Sequence, residues 1–231
     1  MLSRGLRRAP GDVYWSNVSV LLHGQGANNA TTIVDSSKNT KSLTANGDAK
    51  ISTAQAKFGA SSLAFDGSGD YLRATDSADF AFGSGNFCVE YWARFTSFSA
   101  FPITVDTRVS GLSVNGYSEY YDTGGKLNLF LNNSTVYTSA ASISTGSWAH
   151  VAVSRSGTTL RVFINGALDG SVTDSTNMTD QKLLVGANVG VTPGTLQGNY
   201  MNGYMQDVRI TKGVARYTAA FTPPSRTFPD H

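Results

Sequence analysis

Carboxylates, histidines, a thiol and aromatic rings are the side chains of this chain that could do chemistry, and their spacing limits what each could do. There are only two glutamates, Glu90 and Glu119, in separate stretches. Glycoside hydrolysis needs two carboxyl groups flanking one bond. No Glu-x-Asp-x-x-Glu arrangement supplies them, and none of the scattered aspartates forms an obvious acid/base pair. No Gly-x-Ser-x-Gly nucleophile elbow occurs. His23, His150 and His231 are far apart, and His231 is the last residue. Cys88 is the only cysteine, so no intramolecular disulfide forms. Set between Phe87 and Val89, it reads as a buried structural thiol. No Cys/His cluster suits zinc. The expectation is a protein that is not an enzyme.

Binding chemistry fares better. Asp66-Gly67-Ser68-Gly69-Asp70 is too short and too acidic to cradle a phosphate. A hard cation wants several carboxylate and carbonyl oxygens. Asp66 and Asp70 share one turn and Asp207 begins a later strand, so these three are the candidate calcium ligands. The competing reading is that Asp66 and Asp70 simply make the turn; no cofactor is required on either. Sugars are recognised by aromatic faces beside amide and hydroxyl groups. Among the 10 tyrosines, Tyr117, Tyr120, Tyr121, Tyr137 and Tyr200 are the carbohydrate-binding candidates, with core or edge packing as the alternative. Arg4, Arg7 and Arg8 make a basic arm, a candidate anchor onto an acidic partner or simply a solvated tail. With a net charge of +2, the rest of the chain sums to about −1. A body that is not basic argues against tracking phosphates and against a specific nucleic-acid partner.

The elements that must position these residues read as strands. Residues 148–172 carry the clearest pattern. Ala149, Val151 and Val153 alternate with more polar neighbours, and Leu160, Val162 and Ile164 do the same after a Ser156-Gly157-Thr158 turn. Asn165-Gly166 then predicts a type I′ hairpin, because both residues tolerate positive φ. A first strand is predicted at 18–22 and a short extended segment at 33–37. Two strands flank Asp66-Gly67, and 87–95 reads as a long strand with apolar bulk on both faces. Five short strands follow at 101–106, 111–114, 117–121, 126–131 and 135–138, then one at 183–186 and a closing strand at 203–210. Residues 42–56 are poorly patterned, 188–199 read as an exposed loop, and Ser77–Phe80 suggests a helical turn. Charged residues make up only 15% of the chain and glycine is abundant at 24 residues, which suits short strands and turns rather than helices. The predicted fold is an all-β, antiparallel two-sheet β-sandwich. It would comprise a flexible arm at 1–12, one domain at 13–224 and a tail at 225–231. No signal-peptide pattern or 18-residue apolar run is present.

Four motifs resemble the laminin-G-like, concanavalin-A-like jelly-roll family. They are Trp148-x-His150-Val151-Ala152-Val153 with Leu160-Arg161-Val162-Phe163-Ile164-Asn165-Gly166; the stretch from Phe58-Gly59 through Leu63-x-Phe65-Asp66-Gly67 to Asp70-Tyr71-Leu72; Phe87-x-Val89-Glu90-x-Trp92; and Gly203-x-x-x-Asp207-Val208-Arg209-Ile210. The continuation Thr211-Lys212-Gly213-Val214-Ala215-Arg216-Tyr217, with Phe221 and Pro223-Pro224, is similar to a subgroup found in tailed bacteriophages. Physically it reads as a short helical turn that docks Tyr217 and Phe221 on the sandwich edge. The resemblance implies a jelly roll, structural positions for Glu90 and His150, and in many relatives calcium at a sandwich rim. The glucanases on this fold use two glutamates on one strand, which this chain lacks. The implied function is a lectin-like protein of a phage particle, assembled in the host cytoplasm. Its implied partners are a phage capsid or tail protein and a cell-surface polysaccharide, with no membrane partner; homo-oligomers are common among such proteins, and no heptads specify a copy number. The alternatives are a purely structural virion protein and a carbohydrate-binding module of a bacterial surface protein.

Overall fold

The structure is a computed structural model that describes residues 11–192 and 194–231. The proposed anchor residues Arg4, Arg7 and Arg8 lie outside the described residues. The chain forms strands β1 (Val18–Leu22), β2 (Leu43–Asn46), β3 (Lys50–Ser52), β4 (Ser62–Asp66), β5 (Tyr71–Ala74), β6 (Phe87–Ser97), β7 (Ile103–Asp106), β8 (Tyr117–Tyr121), β9 (Lys126–Leu131), β10 (Ser134–Ser142), β11 (Ala149–Ser156), β12 (Thr159–Ile164), β13 (Ala167–Thr173), β14 (Leu184–Val185) and β15 (Asn202–Lys212). They make two antiparallel sheets. The eight-stranded sheet runs β13-β12-β11-β6-β15-β4-β3, with β1 also on β15. The seven-stranded sheet runs β10-β9-β8-β7-β14-β5-β2. The all-β sandwich expected from the sequence is the fold.

Alternation decides what each strand buries. Phe87, Val89, Tyr91, Ala93 and Phe95 of β6 face the other sheet and meet Tyr117, Tyr121, Leu127, Leu129 and Leu131. Burying those faces against each other is what holds the two layers together. The opposite face of β6 is buried as well, because the chain after β15 returns across it. Tyr217 and Phe221 stack at 3.6 Å and lie against Phe163, whose ring centroid is 5.4 Å from that of Phe221. Phe228 is buried and sits 3.8 Å from the Arg209 guanidinium. No helical turn forms over 211–222, and the aromatics dock on the sheet's outer face rather than its edge. Gly166 explains the seat. It takes φ +77° in the predicted hairpin turn, and its carbonyl accepts the Phe221 N–H at 2.9 Å.

Other differences have local causes. The poorly patterned 42–56 stretch holds the short strands β2 and β3, whose pairing partners rather than their own pattern make them strands. The extended segment expected at 33–37 pairs into neither sheet; the Asp35 carboxylate there accepts the Leu21 N–H at 2.9 Å. Residues 111–114 are a loop, held by the Gly111 N–H on the Gly190 carbonyl at 2.7 Å. The strands flanking Asp66-Gly67 belong to opposite sheets, so the turn crosses the sandwich instead of closing a hairpin. Ser77 caps a 3-10 turn at Ala78–Phe80, as expected.

Candidate functional site

The outer face of the seven-stranded sheet carries a cleft of about 460 Å³. Alternation along β8 sends Tyr117, Glu119 and Tyr121 inward and leaves Ser118 and Tyr120 for this face. Ile103 of β7 and Phe130 of β9 complete the floor. Three loop stretches wall it. Ala100 and Phe101 have φ of +59° and +55°, a conformation uncommon outside glycine and a mark of local constraint. It turns the Phe101 ring outward, edge-on to Tyr120 with centroids 6.2 Å apart. The Asn199 side chain donates to the Phe101 carbonyl at 3.3 Å and ties this wall to the one before β15. The opposite wall carries Leu112, beside Val191.

The polar groups of the cleft are mostly amides. Asn188 donates to the Gln197 side-chain oxygen at 3.3 Å, and its own Oδ1 has no hydrogen-bond partner although the residue is 5% exposed. Arg108 lies in the floor, its guanidinium 5.0 Å from the Phe130 ring. It grips Asp106 with two bonds, Nε to Oδ1 at 3.0 Å and Nη2 to Oδ2 at 2.8 Å. Burial pushes the Asp106 carboxyl above its ordinary range, and Arg108 pulls it back only in part. Aromatic edges, aliphatic walls and amides around a charge-neutralised floor can hold a hydroxylated ring.

The five candidate tyrosines scatter. Tyr120 lines the cleft. Tyr117 and Tyr121 are fully buried between the sheets and have no face free for a sugar; their odd-numbered positions on β8 decide that. Tyr137 is half-buried and donates to Asp169 at 2.6 Å, bridging the edge strands β10 and β13. Tyr200 is half-buried beside the cleft without lining it. Sequence reasoning missed Phe101, Leu112, Val191 and Asn188. The Asn-rich 188–199 stretch was the available signal, but no local pattern showed that it meets residues 101–112 in space.

The three candidate calcium ligands do not assemble. Asp70 accepts the Asp48 N–H at 2.5 Å and the Asp66 N–H at 2.9 Å, so it organises the crossing turn. Burial still lifts its carboxyl above the usual range. Asp207 lies farther along β15, at a bulge with φ +51°, where it meets His23 at 2.6 Å and the Phe228 N–H at 3.0 Å. Among the described residues, no group of three or more His, Cys, Asp or Glu side chains could hold a metal ion.

Both glutamates are buried, in different surroundings. Arg209 holds Glu90 through Nε at 2.9 Å and Nη2 at 2.7 Å, and the Tyr217 hydroxyl donates at 2.8 Å. His150 Nε2 lies 3.4 Å from it. Burial alone would raise the Glu90 carboxyl, but Arg209, His150 and Arg216 reverse that and hold it far below the ordinary range. Arg209 and Arg216 also share Asp12, at 3.0 and 2.6 Å. Glu119 instead faces the core, near the Tyr91, Tyr117 and Thr104 hydroxyls but with neither oxygen in good hydrogen-bond geometry to them. Burial raises it to about 8, against a weaker pull from the Tyr91, Tyr117 and Thr104 hydroxyls.

This fold agrees with the relationships of the chain. It belongs to the concanavalin A-like lectin/glucanases superfamily, whose Laminin_G_3 profile matches residues 66–216. No curated protein sequence matches it. Among solved structures, domain 4 of AbnA, a GH43 extracellular arabinanase from Geobacillus stearothermophilus, in complex with arabinotriose, is similar with TM-score 0.60 and 19% identity, over 86% of this chain and 95% of that one. The binding domain of Paraclostridial Mosquitocidal Protein 1 is similar with TM-score 0.65 and 11% identity, over 87% of this chain and 50% of that one. Botulinum neurotoxin type C, whose cell entry depends on two ganglioside molecules, is similar with TM-score 0.62 and 15% identity, over 87% and 49%. The chain thus spans about half the length of the two toxin chains. At these identities the likeness is one of fold. Among the described residues, no helix is long and apolar enough to cross a membrane.

Proposed function

We propose that the chain is a non-catalytic, lectin-like protein that binds surface glycans in the cleft formed by Tyr120, Phe101 and the 108–112 and 188–199 stretches. The observation that carries this reading is the cleft itself, an aromatic edge pair facing amide groups across an open groove. The arabinotriose complex of the AbnA domain and the gangliosides of the neurotoxin support a sugar as the ligand class. The burial of both glutamates, one clamped by arginine and one sealed in the core, supports a role without catalysis.

We further propose that the protein sits on the outside of a bacteriophage particle, as a head decoration or tail accessory, after assembly in the host cytoplasm. The support is the resemblance of residues 211–224 to the phage subgroup. That stretch holds the chain end on the sheet through Arg216, Tyr217 and Phe221. A capsid or tail protein is then its particle partner. The test is binding of the purified protein to a panel of bacterial surface polysaccharides, with and without a chelator. Selective binding lost in Tyr120→Ala and kept in chelator is the expected result. Binding to no polysaccharide at high protein concentration refutes the glycan reading and leaves a structural virion protein.

A further inference from the structure

The cleft also says what kind of sugar fits, and this inference rests on the glycan reading above. We infer that its ligand is an uncharged saccharide bearing a methyl group, either the 6-methyl of a deoxy sugar or the methyl of an acetamido group.

Charge comes first. Among the described residues, Arg108 is the one charged side chain lining the cleft. Both oxygens of Asp106 neutralise it, and its remaining contacts run to the Gly111 carbonyl and the Ser118 hydroxyl. An acidic sugar would give up water for a cation already paired, which desolvates its carboxylate without return. A cleft with that floor favours neutral rings.

The walls add the methyl. Leu112 is 58% exposed, Val191 53% and Phe101 48%, high for large apolar side chains gathered at one groove. The Gly111–Gly190 hydrogen bond brings Leu112 and Val191 onto neighbouring backbone, so they form one aliphatic surface. Hydroxyl groups gain nothing there, whereas a methyl between Leu112 and Val191 leaves water. Stacking on Phe101 and Tyr120 alone would not call for that aliphatic surface.

Asn188 supplies the matching polar partner. Its Oδ1 is buried and unpaired, a costly state unless a donor arrives. Its Nδ2 gives one of its two N–H groups to Gln197, and the Oδ1 is the acceptor left without a partner. The N–H of an acetamido group or a ring hydroxyl is the complement.

The test titrates the whole chain, by ligand-observed NMR, with five 2-hydroxyethyl glycosides, whose shared aglycone carries no methyl: N-acetylglucosaminide, rhamnoside, glucoside, mannoside and glucuronide. The two methyl-bearing sugars are expected to bind about fourfold tighter or more than glucoside and mannoside, the ratio that ~0.8 kcal/mol per buried CH₂ gives. In the double variant Leu112→Ser, Val191→Thr that ratio should fall towards one, with the fold checked by circular dichroism. Equal binding of all neutral sugars, tighter binding of the glucuronide, or an unchanged ratio in the double variant overturns the inference and leaves the cleft as a general sugar site. No saturation transfer to any glycoside overturns both this inference and the glycan reading.

Discussion

Glu119 should make this protein lose stability as pH rises through the neutral range. Its carboxyl is sealed between the sheets with no hydrogen bond of good geometry, and burial lifts it to about 8 from an ordinary 4.5. The folded state therefore binds a proton that the unfolded chain releases above about pH 4.5. Stability contributed by the group is complete below that value, falls as pH rises, and levels off above about 8. Between pH 5 and pH 8 the loss comes to roughly 3 kcal/mol at ~1.4 kcal/mol per unit. At about 2–4 °C per kcal/mol for a chain of this size, that is on the order of 10 °C in Tm. Glu119→Gln keeps the shape but cannot ionise, and any fixed cost of its amide cancels when the two pH values are compared. The assay is urea unfolding of both proteins at pH 5 and pH 8. The wild type should lose roughly 3 kcal/mol more than the variant across that span. Equal losses would refute the reasoning and place the Glu119 carboxylate in a solvated or paired setting. The outcome bears on the cleft, because Ser118 and Tyr120 flank Glu119 on β8 and line it.

Three further outcomes are expected. Arg209→Met leaves the buried Glu90 carboxylate without its main partner and should cost on the order of 3–5 kcal/mol in urea unfolding; because Glu90 is held low in the fold, the stability it contributes should also be lost as pH falls below its ordinary 4.5. Gly166→Ala puts a side chain at φ +77° and against the Phe221 carbonyl. Stability should drop by ~1–3 kcal/mol and tryptic cleavage at Arg216 and Arg226 should become faster, and unchanged cleavage would count against the docking of the strap, the 213–228 stretch that returns across the outer face of β6. Chelation should leave Tm unmoved, since Asp66, Asp70 and Asp207 do not meet; calcium-dependent melting would reinstate a site at that rim.

Much of the architecture was legible in residue order. Period-2 alternation in 149–164 and the Asn165-Gly166 turn determine the β11-β12-β13 meander, because strand faces and positive-φ turns are local properties. The double-sided apolar bulk of 87–95 announced a strand covered on both faces, although it could not say by what. Glu119 and its tyrosine neighbours show the limit. Tyr117, Tyr120 and Tyr121 look alike in sequence, and only strand β8's register against β7 and β9 decides which ring is core and which is cleft.

By itself the sequence determined the position of most strands, since each follows from short-range pattern, and its four motifs carried the resemblance to the family and its two-sheet sandwich. Tertiary structure alone decided the cleft, the strap and the state of the two glutamates. The cleft draws Phe101, Leu112, Asn188 and Val191 from stretches up to 90 residues apart. The strap sets Phe221 on Gly166 and Phe228 on Arg209, contacts that no local period encodes. Glu90 and Glu119 are the same residue type on neighbouring layers, yet one is held charged and the other neutral. That difference comes from which long-range partners surround each carboxyl, and burial in a folded core is what makes those partners matter.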